Sequence, residues 1–119
     1  MARYLLLLRD ADTYPDMSPD AMQGILQRYM DWTRGLATRG LLVDASKLYD
    51  RTGRVLRPGA QGLAVTDGPF VEGKEIIGGY YVVTAGTFEE ALALSSDCPH
   101  LELGSIEIRE LEAMGDGEA

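Results

Sequence analysis

The chain has 119 residues, 45% hydrophobic and 25% charged, which is enough apolar material for one core but not for two independent ones. Its net charge is −8 and its pI about 4.5, so phosphate backbones and anionic membrane surfaces both repel it, and neither nucleic acid nor membrane is expected as a partner. Cys98 is the only cysteine, which removes any internal disulfide and any cysteine-based metal cluster; no metal and no cofactor is expected.

The chain opens Met1-Ala2-Arg3-Tyr4-Leu5-Leu6-Leu7, and its apolar run ends at Leu8 before Arg9-Asp10, too early for a signal peptide or a membrane span. The protein therefore reads as cytosolic. Residues 3–9 read as a strand, with Leu5 and Leu7 on one face and Tyr4, Leu6 and Leu8 on the other. Both faces are apolar, unlike a strand with one side in water.

Residues 10–17 read as a polar loop. Ser18-Pro19 marks a helix start, Ser as N-cap and Pro at the first helical position, with Asp20 favoured by the helix dipole. Met22, Ile25, Leu26, Tyr29, Met30, Thr33, Leu36 and Ala37 recur at helical spacing and predict one buried stripe. Gly40 ends the helix. Leu41 to Tyr49 reads as a second strand. Arg54 to Arg57 and Leu63 to Thr66 read as a short hairpin across Pro58-Gly59-Ala60-Gln61-Gly62, an excursion at the sheet edge.

Residues 76–85 give the strongest strand, Tyr80, Val82 and Thr84 against Tyr81, Val83 and Ala85, again apolar on both faces. Thr87-Phe88-Glu89-Glu90 has the form of a capping box and opens a short helix that Asp97-Cys98-Pro99 stops. Residues 105–111 form the last strand, Ile106 and Ile108 inward, Glu107 and Arg109 outward. The single domain spans residues 1–113, and residues 114–119 read as a frayed tail.

The order is β-α-β, a hairpin, then β-α-β. This is an α+β, ferredoxin-like plan, an antiparallel sheet with two helices on one face. Two helices cover one face only, yet two strands are apolar on both. A second copy of the chain is the simplest cover for the other face, so a homodimer of the dimeric α/β barrel kind is expected.

The segment Thr66-Asp67-Gly68-Pro69-Phe70, with Gly78-Gly79-Tyr80-Tyr81, the start Tyr4-Leu5-Leu6-Leu7 and the close Gly104-Ser105-Ile106-Glu107-Ile108-Arg109, resembles the DGPF branch of the YCII-related family over nearly the whole chain. The resemblance implies the dimeric α/β barrel and leaves the reaction open. In the YciI-like branch a histidine on the first helix and an aspartate before a proline are the proposed active-site pair. Here these positions fall near Arg28 or Tyr29 and at Cys98, before Pro99, so neither residue is present. Such genes often neighbour sigma factors of the extracytoplasmic-function type, which implies a regulatory setting by association.

Candidate chemistry starts from Asp67. The turn it opens can be architecture alone, Asp bonding its own backbone, Gly supplying unusual dihedrals and Pro fixing the exit. Alternatively the turn aims Asp67 and Phe70 into a cavity with Lys74 and Glu75 at the rim; Asp67 is then the catalytic candidate, a general base. Phe70, Lys74, Tyr80 and Tyr81 are the candidate ligand-binding residues. Successive strand side chains alternate, so one tyrosine of the pair faces the helices and the other the dimer side. Gly78-Gly79 reads as a bulge or as a close approach to a ligand or partner backbone. Tyr4, Tyr29 and Trp32 read first as core, and a tyrosine hydroxyl in an apolar cavity is also a polar handle for a ligand. His100 reads as a solvated loop side chain, and Cys98, at the wrong end of a helix dipole, as no nucleophile. Two functions follow: a small-molecule binder or cofactor-independent enzyme with a cavity near the dimer interface, or a non-catalytic regulatory or interaction module associated with sigma-factor signalling.

Overall fold

The computed structural model describes residues 1–10, 17–49, 53–67 and 76–113, the side chains of Asp67 and Ile76 aside. In chain order the elements are β1 (Ala2–Asp10), α1 (Pro19–Thr38), β2 (Leu42–Lys47), β3 (Arg54–Gly59), β4 (Gly62–Asp67), β5 (Ile76–Ala85), α2 (Phe88–Ser95), a 3₁₀ turn (Pro99–Glu102) and β6 (Gly104–Leu111). Four strands form one sheet in the order β2-β5-β1-β6, antiparallel at every pairing. This is the ferredoxin-like α+β arrangement. The β3–β4 hairpin forms a separate two-stranded sheet, the excursion expected from its polar turn. Among the described residues no helix is long and apolar enough to cross a membrane.

The helix ends follow local chemistry. Ser18 Oγ accepts the Ala21 amide at 3.1 Å, and Pro19 occupies the first turn, where its missing N–H costs nothing. At the other end Gly40 takes a φ of 72°, and the Gly40 and Leu41 amides donate back to the Ala37 and Leu36 carbonyls. That is a Schellman motif, and the left-handed residue it needs is the glycine. Thr87 Oγ1 accepts the Glu90 amide, while Glu90 reaches back to the Gly86 amide at 2.7 Å, one residue earlier than in the usual box.

The core lies between the helices and one face of the sheet. Tyr4, Leu6 and Leu8 from β1 and Tyr81, Val83 and Ala85 from β5 meet Leu36 and Ala91 from the helices. Leu6 and Val83 are fully buried, each removing from water an apolar surface that stabilises by about 1.5–3 kcal/mol. On the opposite face Leu5, Leu7, Tyr80 and Val82 are half-buried. Polar contacts flank this apolar strip: Arg9 and Arg109 pair with Glu107, and the Tyr80 hydroxyl donates to Asp44 at 3.0 Å.

Two expectations need correction. The α1 stripe is not buried along its length: Ile25 and Leu36 are, but Leu26 is 50% and Met30 55% exposed. The first half of the helix stands over a cavity instead of touching the sheet, and Met22 and Leu26 line that cavity. Glu102, Glu107, Glu110 and Glu112 read from the sequence as a solvated edge, but Glu102 and Glu107 are each held in an ion pair. Phe70, Lys74 and Glu75 lie outside the described residues, as does the turn beyond the backbone of Asp67.

Candidate functional site

At the end of β1 the strand alternation turns Asp10 to the helix side. Leu8 pairs with Gly79 and Arg9 with Ile77, so β5 carries a bulge with Gly78 as the extra residue. A Cβ on Gly78 would overlap the Asp10 carboxylate. Gly104, at the start of β6, pairs with Asp10; a Cβ there would overlap the Arg9 carbonyl oxygen and lie 3.2 Å from His100 Nε2. The bulge reading of Gly78-Gly79 holds, and Gly78 and Gly79 also line the cavity.

The 3₁₀ turn Pro99–Glu102 carries His100 into this opening, where it is 3% exposed. The solvated reading of His100 is therefore wrong. Pro99 sets the start of the turn, and Arg28 on α1 forms an ion pair with Glu102 that ties the turn to the helix. Hydrogen bonding from Arg28 lowers the carboxyl pKa of Glu102.

Both ring nitrogens of His100 are engaged. Nδ1 lies 2.6 Å from the Tyr29 hydroxyl; Nε2 lies 3.1 Å from the Arg9 carbonyl oxygen and 3.4 Å from Asp10 Oδ1. A carbonyl only accepts, so Nε2 carries a proton. In the neutral ring Nδ1 is then bare, and Tyr29 donates its hydroxyl proton to it. In the charged ring the direction reverses: Nδ1–H donates to the tyrosine oxygen. Asp10 and the Arg9 carbonyl on Nε2 and Tyr29 on Nδ1 thus form one chain of contacts through the ring, and the proton between the Tyr29 oxygen and Nδ1 can change owner without either group moving, while the Arg9 carbonyl only accepts.

This chain ends in a cavity of about 550 Å³ between α1 and the sheet. Leu8, Ile25, Leu26 and Leu103 supply apolar wall, while Asp10, Tyr29, His100 and Lys47 supply polar groups. Tyr81 lines it too, with its ring edge-on to Trp32 at 4.8 Å. Thr33 Oγ1 gives its proton to the Tyr29 carbonyl at 2.8 Å, so the Tyr81 hydroxyl, 2.6 Å away, donates to Thr33. Burial raises the Tyr81 pKa, and its proton stays in that bond. Among the described residues no group of three or more His, Cys, Asp or Glu converges as a metal site.

The tyrosine pair divides as the alternation requires. Tyr81 faces the helices and the cavity; Tyr80 lies on the opposite face, bonded to Asp44. The cavity thus opens on the helix side, not on the side where Tyr80 lies. The Asp67 side chain, Phe70 and Lys74 fall outside the described residues, and the lysine on the cavity wall is Lys47. Cys98 is buried beside the site, and desolvation pushes its thiol up to about 11, which leaves it un-ionised at neutral pH.

Asp10 and Lys47 were not singled out as functional residues from the sequence, and His100 was set aside. Asp10 looks like the polar end of a strand, and only the bulge turns its carboxylate against Gly78. The legible signal was Pro99-His100 with Gly104 four residues on: a proline-fixed turn beside a residue with no side chain to obstruct it. The two positions to which the resemblance carries its histidine and aspartate, near Arg28 or Tyr29 and at Cys98, lie at or close to the Tyr29 and His100 that form the cluster.

The topology defines a ferredoxin-like α+β domain with a cavity of about 550 Å³ under its first helix. The chain belongs to the YCII-related family, whose domain model matches residues 2–114. No curated protein matches it in sequence. Among solved structures, the 5-chloro-2-hydroxyhydroquinone dehydrochlorinase of Burkholderia phenoliruptrix AC1100, in complex with 2,5-dihydroxybenzoquinone, is similar over 94% of this chain and 95% of its own, with 12% identity and a TM-score of 0.49.

Proposed function

We propose that this YCII-related protein binds a small, largely apolar molecule in the cavity under α1, and that Asp10, His100 and Tyr29 form its reactive centre, for proton transfer without a cofactor. One observation carries this reading: a histidine 3% exposed has both ring nitrogens engaged, and the chain of bonds runs to a hydroxyl on the cavity wall. Buried imidazoles linked to a carboxylate and a hydroxyl are suited to hold and move protons near neutral pH. A purely architectural histidine would need neither the cavity nor the glycines that open the backbone around it.

The test is a screen of small ring compounds by ¹H–¹⁵N correlation spectra. Binding should shift the amides of Ala45, Gly79 and Leu103 on the cavity wall. Compounds that bind but move only amides of the outer sheet face, such as Leu7 and Val82, would refute the site.

The reading also includes a homodimer through the outer sheet face. The apolar strip of Leu5, Leu7 and Val82, with no helix over it among the described residues, supports that pairing.

A further inference from the structure

We infer that the β3–β4 hairpin is a dimerisation arm whose apolar face seats on a second copy of this chain. The inference rests on the homodimer proposed above and adds a contact that the outer sheet face does not supply. The hairpin is its own two-stranded sheet, with no strand of the main sheet hydrogen-bonded beside it. Two strands alone are marginal in water, so such an arm needs a surface to lie on.

The register sorts its side chains. Leu56 stands opposite Val65 and Pro58 opposite Leu63, so these four share one face; Val55, Arg57, Ala64 and Thr66 share the other. The more apolar face is the one left open. Leu56 is 62%, Leu63 71% and Val65 63% exposed, and Pro58 is exposed as well, while Val55 on the other face is half-buried. A chain that stayed alone in water would turn these faces the other way. Pro58 has no N–H, which blunts β3 against the addition of a further strand, so the face and not the edge is the surface that can dock.

Charge and area select the occupant. Residues 53–67 carry Arg54, Arg57 and Asp67, net +1, in a chain of net −8, so the remaining residues carry −9. The arm is a basic segment on an acidic protein: two copies repel each other elsewhere and attract at the arm. An exposed apolar patch of this kind covers about 300 Å². In a two-fold pair both arms are covered, each by as much surface on the copy that receives it, about 1,200 Å² in all, which reaches the lower bound of a specific interface. The same chain also leaves the strip of Leu5, Leu7 and Val82 without a helix over it among the described residues. One self-complementary contact with a second copy closes both surfaces.

Sedimentation equilibrium of the wild-type protein, Leu63→Glu and Ala64→Glu tests this. The two variants add the same charge to opposite faces of the hairpin, both at exposed positions. Leu63→Glu should raise the dimer dissociation constant about a hundredfold or more, because the change is present in both arms, and Ala64→Glu should leave it within about threefold of wild type. In a mixture of ¹³C-labelled and unlabelled wild-type protein, the methyl groups of Leu63 and Val65 should show filtered nuclear Overhauser effects to protons of the unlabelled copy. If the wild type dimerises but these methyl groups show no such effects, or if the two variants dissociate alike, this inference fails while the dimer through the outer sheet face stands. If the wild type sediments as a monomer at micromolar concentration, both fail.

Discussion

The Asp10 carboxylate occupies the space that a Cβ on Gly78 would fill. Gly78→Ala therefore has to push Asp10 away from His100 Nε2 or shift the β5 bulge. Overpacking of this kind costs about 1–3 kcal/mol. The expected outcome is a lower urea midpoint with an unchanged slope, together with a changed His100 ring environment in ¹⁵N spectra. Alanine tolerated without either change would show that the carboxylate moves aside freely.

His100→Ala should destabilise the fold as well as empty the site. It removes a buried ring and the two hydrogen bonds that the ring makes, to the Arg9 carbonyl and with the Tyr29 hydroxyl, a loss of about 1–3 kcal/mol for the bonds alone. Equilibrium denaturation measures it. A midpoint equal to the wild type would return His100 to the dispensable role that the sequence suggested.

Leu6→Ala tests the core. Leu6 is fully buried, 0% accessible, and truncation of such a leucine costs about 2–5 kcal/mol. A loss below about 1 kcal/mol would mean that the sheet and helices collapse around the gap.

The Cys98 thiol gives a pH-dependent prediction. Its ordinary value is 9.0, and burial raises it to about 11 in the fold. The unfolded chain ionises first, so above pH 9 the unfolded state binds fewer protons than the native one, and stability falls as pH rises from 9 towards 11. Below pH 9 the contribution is flat. Cys98→Ala should reduce this alkaline loss, as read from melting midpoints across the range. Iodoacetamide should label the native thiol at neutral pH far more slowly than the unfolded one; equal rates would contradict the burial.

The outer sheet face predicts association. Sedimentation at micromolar concentration should give twice the 13.0 kDa chain mass. Leu7→Glu, at the centre of the strip, should produce a monomer that keeps its helical signal. A wild-type monomer of good solubility would leave that face uncovered and end the dimer proposal.

Much of the fold was legible in the chain because it is written locally. Ser18-Pro19, Gly40 and Thr87-Glu90 mark helix ends through bonds within a few residues. The alternation in residues 3–9 and 76–85 assigns side chains to faces without reference to anything distant. Tyr81 could be paired with Tyr80 on opposite faces for the same reason. What the sequence left open was which face carried the helices, and so which tyrosine met the cavity.

The site was decided by tertiary structure. Asp10, Tyr29 and His100 come from three separate elements, and no spacing links them. Their convergence depends on a one-residue bulge at Gly78 and on the missing side chain at Gly104, features that appear in sequence only as glycines. His100 looked solvated because a lone histidine beside a turn reads as exposed; Gly104, four residues on, leaves room for its ring, but the Arg9 carbonyl and Asp10 that the ring meets come from β1, which only the fold brings near. The α1 stripe misled for the complementary reason. Periodicity reports that a face is apolar, and only the distance between helix and sheet determines whether that face closes on a core or roofs a cavity.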